Sequence, residues 1–251
     1  MLRIVLAGLT LLLAVPAVAQ HQPGQTNADH ERAQAHYIAG WQHMHAEHYE
    51  DAAGEFKAAT ELNQKFQLAY YGLGRAYQNL RRYSEAIGAL ATCRQLYNTQ
   101  ASQKFNSQME ADRYRSDRLL ELQDMQTQIS KGPQSTRTQE MSRQVSDAIR
   151  RTTDEKDRGL NIGFETPVPA FVSLALGSAY FRSERFDDAE QAYKDAVKTD
   201  TKAGEAHNNL AVIYLMKAEY PQALAEIKAA EKAGVKVSQD LKDEIRARMG
   251  Q

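Results

Sequence analysis

Apolar residues recur at helical spacing through two blocks of the chain. In the stretch Gln67–Tyr97, Tyr70, Leu73, Gly74 and Tyr77 share one helical face. Asn79 to Arg82 is a short polar break. Tyr83, Ala86, Leu90 and Cys93 then mark one face of a second helix, at spacings of three and four. Gly74 and Ala86 are small where the two helices would cross, because a larger side chain at either point would push the pair apart. The apolar face of this predicted hairpin is too broad to bury on itself. It requires neighbours of the same kind.

Those neighbours stand thirty-four residues away. Gly74, Tyr83, Ala86, Leu90 and Cys93 map onto Gly40, Tyr49, Ala52, Phe56 and Ala59. Near the C-terminus, Gly177, Tyr180, Phe186, Ala189, Tyr193 and Ala196 map onto Ala211, Tyr214, Tyr220, Ala223, Ile227 and Ala230 by the same shift. The best matches are Tyr70-x-x-Leu73-Gly74-x-x-Tyr77…Ala86-x-x-x-Leu90 and Ser173-x-x-Leu176-Gly177-x-x-Tyr180…Ala189-x-x-x-Tyr193. A helix-turn-helix of this period with this small/aromatic pattern resembles the tetratricopeptide repeat (TPR). The resemblance covers residues 33–97 and 170–234. One departure from the family pattern is that its Pro near the repeat end is replaced by Gln64, Asn98, Thr201 and Val235. The turns are then expected to depend on Asn63, Asn98, Asp200 and Gly234.

Between the two blocks the repeat pattern stops. Residues 99–131 hold neither Gly nor Pro, which predicts one long helix. Its apolar positions are Phe105 and Met109 early, then Leu119, Leu122, Met125 and Ile129, around a charged middle. Gly132-Pro133-Gln134-Ser135 is a turn. A second helix over 138–156 shows Met141, Val145, Ala148, Ile149 and Thr152 at helical spacing. An antiparallel hairpin with a thin, peripheral apolar seam fits better than two degenerate repeats, because a repeat needs a break about every fourteen residues. Gly159 to Pro169 is a loop whose Leu160, Ile162 and Phe164 are expected to tuck against the repeats. From Ser238 a final helix turns Leu241 and Ile245 inward and charged residues outward, as the open end of a repeat stack requires. The expected fold is all-α: a TPR-like helical-hairpin solenoid of two plus two repeats, with an inserted long helical hairpin (98–169) and a C-terminal capping helix (235–251).

The first residues are a separate object. Arg3, the apolar run Ile4–Val15 and the small-x-small site Ala17-Val18-Ala19 predict a secretory signal peptide over 1–19. An uncleaved anchor is disfavoured because Pro16 interrupts a run that is short for a bilayer. No Cys follows the run, so a lipoprotein is not expected. Residues 20–32 are a polar leader, and no later segment is apolar enough to cross a membrane. The chain is expected to be exported, periplasmic or secreted. Its 251 residues carry a net charge of -1, which argues against a nucleic-acid partner. Cys93 is the only cysteine and cannot form an internal disulfide. It falls where the other repeats carry Ala, so it reads as a small core residue rather than a reactive thiol.

Six of the seven histidines, His21, His30, His36, His43, His45 and His48, crowd the N-terminal end. Only His45 and His48 have a spacing that suits ligands on one helix, and no ordered carboxylate completes a set, so no metal is expected. His36 and His43 are read as core positions of the first repeat. No phosphate loop, nucleophile elbow, His-Glu-x-x-His or Cys-x-x-Cys is present, so neither a catalytic residue nor a cofactor is expected. The family resemblance implies a groove lined by first-helix residues. By register these are Tyr37, Trp41 and Met44; Tyr71, Arg75 and Gln78; Leu174, Ser178 and Phe181; and Asn208, Val212 and Leu215, with Phe171 beside them. These side chains would suit an apolar peptide, with Trp41, Tyr71 and Phe171 as outward-facing anchors. The carboxylate clamp of some family members is not expected, because Tyr37 and Trp41 stand at its first-repeat positions and only Asn209 fits. The expected function is a non-enzymatic scaffold of the cell envelope that binds a protein or peptide partner. The alternatives are a His-rich metal-binding protein of the periplasm or an accessory subunit of an envelope enzyme.

Overall fold

The computed structural model describes residues 27–101, 108–131, 136–154 and 168–250. Among them all regular structure is helical. Four helix pairs form the repeats: α1 (Asn27–His45) with α2 (Tyr49–Leu62), α3 (Gln67–Asn79) with α4 (Tyr83–Ala101), α7 (Ala170–Arg182) with α8 (Phe186–Thr199), and α9 (Gly204–Met216) with α10 (Tyr220–Lys232). Helices α5 (Gln108–Lys131) and α6 (Thr136–Asp154) pack on each other between the second and third pairs, and α11 (Gln239–Met249) closes the chain.

Every first helix ends in the same way. Glu47, Arg81, Glu184 and Ala218 adopt left-handed φ values of 61°, 59°, 60° and 60°. The N–H of the following residue then reaches back to the helix end. His48 donates to the carbonyl of His43 at 2.9 Å, Arg82 to Tyr77 at 2.9 Å, Arg185 to Tyr180 at 3.0 Å and Glu219 to Tyr214 at 2.8 Å. This closure satisfies carbonyls that a helix end leaves open and reverses the chain within three residues. The breaks between repeats use other chemistry. The Asn63 side chain accepts from the N–H of Lys65 at 3.0 Å, and that of Asp200 accepts from Lys202 at 3.0 Å. Gly234 supplies a φ of 89° that other residues resist. The expected turn at Asn98 is absent, because α4 runs on to Ala101. No repeat follows there directly, so nothing requires the helix to stop.

Within a pair the helices touch at glycine. A Cβ on Gly74 would lie 2.5 Å from Leu90 Cγ, and one on Gly177 would lie 2.6 Å from the ring of Tyr193. Phe56 fills the space against both Gly40 and Gly72, so one ring locks the first repeat and binds the second to it. The exposed glycines Gly54 and Gly88 have no such neighbour.

The stack is continuous across the insertion. α7 packs on α4 just as α3 packs on α2 and α9 on α8. The α5–α6 hairpin is therefore looped out of the array, but its seam is not peripheral. Leu122 and Val145 are buried and join the core of the first two repeats. The Gln34 side chain donates to Asp124, and Arg143 Nη2 donates to Asp200 Oδ2 at 2.6 Å, so the hairpin is tied to both the first and the third repeat. The Arg118 guanidinium lies 5.0 Å from the ring centre of Tyr97. Cys93 lies beneath the same region, fully buried. Burial pushes its thiol well above the usual range, only partly offset by the nearby Arg118 charge, which makes it inert. The signal segment, residues 20–26 of the leader, the turn 132–135, Phe105, Leu160, Ile162 and Phe164 lie outside the described residues, whereas 27–32, expected in the leader, form the first turns of α1.

The aromatic positions of the first helices serve the core rather than the surface. Tyr37, Tyr71, Phe171 and Leu174, expected in an open groove, are at most 5% exposed. Ring centres lie 5.0 Å apart for Phe66–Tyr37, 5.4 Å for Phe56–Trp41, 6.4 Å for Trp41–Tyr71 and 4.9 Å for Tyr71–Phe171. This series runs from the first repeat to the third, because α3 lies against both α1 and α7 and covers these positions. At the far end, Lys217 Nζ donates to Asp187 and Glu190 at 2.6 Å each and ties the fourth repeat to the third. Ile245 of α11 is buried against the last repeat, and Lys242 Nζ donates to Glu231 at 3.0 Å.

Glycine substitutions should separate contact from propensity. Gly177→Ala is expected to cost about 1–3 kcal/mol through overpacking on Tyr193. Gly88→Ala, on an open helix face, is expected to stabilise by about 0.5–1 kcal/mol. Denaturant melts read both, and equal effects of the two would refute the contact. Tyr71→Ala is expected to lose about 3–5 kcal/mol, as for any large buried ring. A melting curve near wild type would instead return Tyr71 to the surface.

Candidate functional site

First-helix side chains that escape the core meet between the second, third and fourth repeats. They line a cleft of about 440 Å³. Arg75 and Gln78 come from α3, Ser178, Phe181 and Arg182 from α7, and Asn209 from α9. The turn after α3 adds Asn79 and Arg81, and Tyr83 and Tyr193 complete the wall.

The local structure holds several of these groups in place. Arg75 Nη1 donates to the Tyr71 hydroxyl at 3.0 Å, and its guanidinium lies over that ring at 5.9 Å. The buried tyrosine thus aims the arginine. Gln78 Nε2 donates to the carbonyl of Ala175 at 2.8 Å, bridging the second and third repeats at the cleft floor. Ser178 Oγ donates to the carbonyl of Leu174 at 2.9 Å, and the Tyr193 hydroxyl donates to Ser178 at 3.4 Å. Phe181 packs edge-on against Phe186, ring centres 5.4 Å apart. Arg81 is the left-handed turn residue itself and is exposed.

The lining contains three arginines, three carboxamides and, among the described residues, no carboxylate. Such a surface offers guanidinium forks and amide donors to an anionic, hydrogen-bonding ligand. Phe181, Tyr83 and Tyr193 are its aromatic members.

Of the thirteen groove residues named from sequence, Arg75, Gln78, Ser178 and Phe181 meet here. Trp41 and Met44 are half-buried against the core of the first repeats. Asn208, Val212 and Leu215 are half-exposed along α9 without joining the cleft. Tyr37, Tyr71, Phe171 and Leu174 are core. Sequence reasoning missed Asn79, Arg81 and Tyr83, which it treated as a linker and a helix face. It also missed Arg182 and Tyr193. A signal was present in Asn79-Leu80-Arg81-Arg82, a polar turn with two consecutive arginines.

The N-terminal histidines separate. His36 Nδ1 lies 2.7 Å from Glu55 Oε2 across the first pair, half-buried rather than core. His207 Nδ1 makes the same contact with Glu226 Oε2 at 2.5 Å in the fourth pair. His43 and His48 meet at the first turn together with Asp51, a carboxylate that sequence spacing did not supply. No helix among the described residues is long and apolar enough to cross a membrane.

Several solved structures share this helical architecture at low identity. The chain is 15% identical to the crystal structure of PilW, a widely conserved type IV pilus biogenesis factor, over 87% of this chain and 86% of that one, with a TM-score of 0.40. It is 20% identical to TTC0263, a thermophilic TPR protein in Thermus thermophilus, over 87% and 100%, with a TM-score of 0.36. It is 16% identical to YrrB, a TPR protein with an unusual peptide-binding site, over 89% and 94%, with a TM-score of 0.30. These likenesses are too distant to carry a site or a partner across. No curated protein matches the chain. The family model for the tetratricopeptide repeat matches residues 37–101 and 174–234. Those two blocks make up half of the chain and coincide with the four helix pairs, and the chain belongs to the tetratricopeptide repeat family.

Proposed function

We propose that this protein is a non-enzymatic interaction module that grips an acidic, extended segment of a partner protein in the cleft between its second, third and fourth repeats. The observation that carries this reading is the set Arg75, Arg81 and Arg182 around one cleft that no carboxylate lines among the described residues. A partner's Asp or Glu side chains would pair with the guanidinium forks, while Gln78, Asn79 and Asn209 would bond its backbone. Because Tyr37, Tyr71 and Phe171 are buried between repeats, an apolar anchor finds no pocket among them.

The test is affinity capture from an envelope fraction with wild type and with the R81E/R182E variant. Both side chains are exposed, so the melting curve should be unchanged. Capture of the partner should fall about tenfold or more, and wild-type capture should weaken as salt is raised. A variant that folds and recovers the partner at wild-type level would remove the cleft from consideration.

We further propose that the protein works outside the cytoplasm. Support comes from Arg3, the apolar run to Val15 and Ala17-Val18-Ala19. Intact-mass measurement of the exported protein should find a chain starting at Gln20. A chain retained in the cytoplasm and still starting at Met1 would defeat this part of the reading.

A further inference from the structure

The turns inside the second and third repeats carry the same small clasp. In the second repeat the Arg82 guanidinium sits 4.7 Å from the ring centre of Tyr77, and its Nε donates to Glu85 Oε2 at 2.6 Å. In the third, Arg185 sits 4.6 Å from the ring of Tyr180 and its Nε donates to Asp188 Oδ2 at 2.8 Å. A cation thus lies between an aromatic ring at the end of the first helix and a carboxylate in the first turn of the second. The fourth repeat lacks the arginine, yet Lys194 of the preceding repeat places its Nζ 5.7 Å from the ring of Tyr214. Three of the four rings therefore have a cation.

The first repeat keeps the carboxylate but changes both other members. His43 stands where Tyr77 and Tyr180 stand, His48 where Arg82 and Arg185 stand, and Asp51 where Glu85 and Asp188 stand. Among the described residues no lysine or arginine is placed over the His43 ring. The two imidazole rings are 6.1 Å apart, and His43 Nδ1 lies 4.0 Å from Asp51 Oδ2. One ligating atom from each of the three residues falls within 4.8 Å of the other two.

We propose that His43, His48 and Asp51 form a binding site for a borderline divalent transition-metal ion of the zinc class. The ion takes the place that a guanidinium or ammonium occupies in the other repeats. Two imidazole nitrogens and one carboxylate oxygen suit such an ion, with water completing a tetrahedral set. Bonds of about 2.0–2.1 Å require ligand atoms about 3.4 Å apart, so the present separations close by roughly an ångström. Rotation of these partly exposed side chains supplies that closure. The backbone already holds them: the left-handed Glu47 and the bond from the His48 N–H to the His43 carbonyl set the two histidines on one side of the turn. A bound ion would cross-link α1 to α2. This site stands on the first repeat, away from the cleft, and either can fail without the other.

The test is calorimetric titration of the full chain with zinc chloride, together with melting curves. Wild type should bind one zinc per chain and melt higher in its presence. His48→Gln, at an exposed position, and Asp51→Asn should each weaken binding about tenfold or more. The H43Y/H48R variant should bind none while staying folded, because it restores the ring–guanidinium–carboxylate clasp of the second and third repeats. Absence of zinc uptake by wild type would overturn the proposal. So would uptake that persists unchanged in His48→Gln, which would move the site to other histidines such as His36 or His45. Should H43Y/H48R fail to fold, His48→Gln and Asp51→Asn decide alone.

Discussion

The structure depends on the close approach of two helices at a residue with no side chain. Gly74 against Leu90, Gly177 against Tyr193 and Gly40 against Phe56 let each pair come within contact distance. A pair this tight buries only part of its apolar surface. Ala52, Ala86, Ala189 and Ala223 are fully buried on the second helices. The remaining apolar face must meet another pair, so the repeats stack and the last one needs α11 to cover it. The αL turns follow from the same constraint. Helices that touch must reverse within three residues, and a left-handed residue does this even where it is Glu, Arg or Ala.

That constraint also explains how the chain tolerates a long excursion in its middle. The exposed face of α4 needs a first helix against it, and α7 supplies one although some seventy residues intervene in sequence. The entropy of closing a loop grows only slowly with its length, so an insertion here disturbs the stack little. The excursion is stabilised in turn by what it covers. Leu122 and Val145 enter the core of the first two repeats, and Arg143 anchors on Asp200. The hairpin is an insertion in topology and a part of the fold in packing.

Surface chemistry is then what the stacking leaves over. Large aromatic residues of the first helices are used between repeats, so the cleft inherits arginines and carboxamides. The turns vary independently of the stack, because their side chains project from it. A tyrosine–arginine–carboxylate clasp in two repeats becomes His43, His48 and Asp51 in the first without altering the backbone around it. Function can therefore change at the cleft and at the turns while the helix crossings stay constant.

The period of thirty-four residues, the small residues at the crossings, the inserted hairpin and the polar-faced last helix were legible in the sequence. Each is a local pattern, and helical periodicity maps directly onto which face of a helix is apolar. The single helix expected over 99–131 was not borne out, because 99–101 continue α4 and α5 spans Gln108–Lys131. Periodicity does not say which neighbour an apolar face meets. Tyr71 and Phe171 look alike whether they face a groove or the next helix, and only the stacking of α3 against α1 and α7 decided that they are core. Asn98 looked like a turn because Asn63 is one, but the helix continues where no partner calls for a break. His43, His48 and Asp51 gave no ligand spacing along one helix. They come together across a left-handed turn, and the direction in which such a turn sends its flanking side chains is a property of the folded backbone alone.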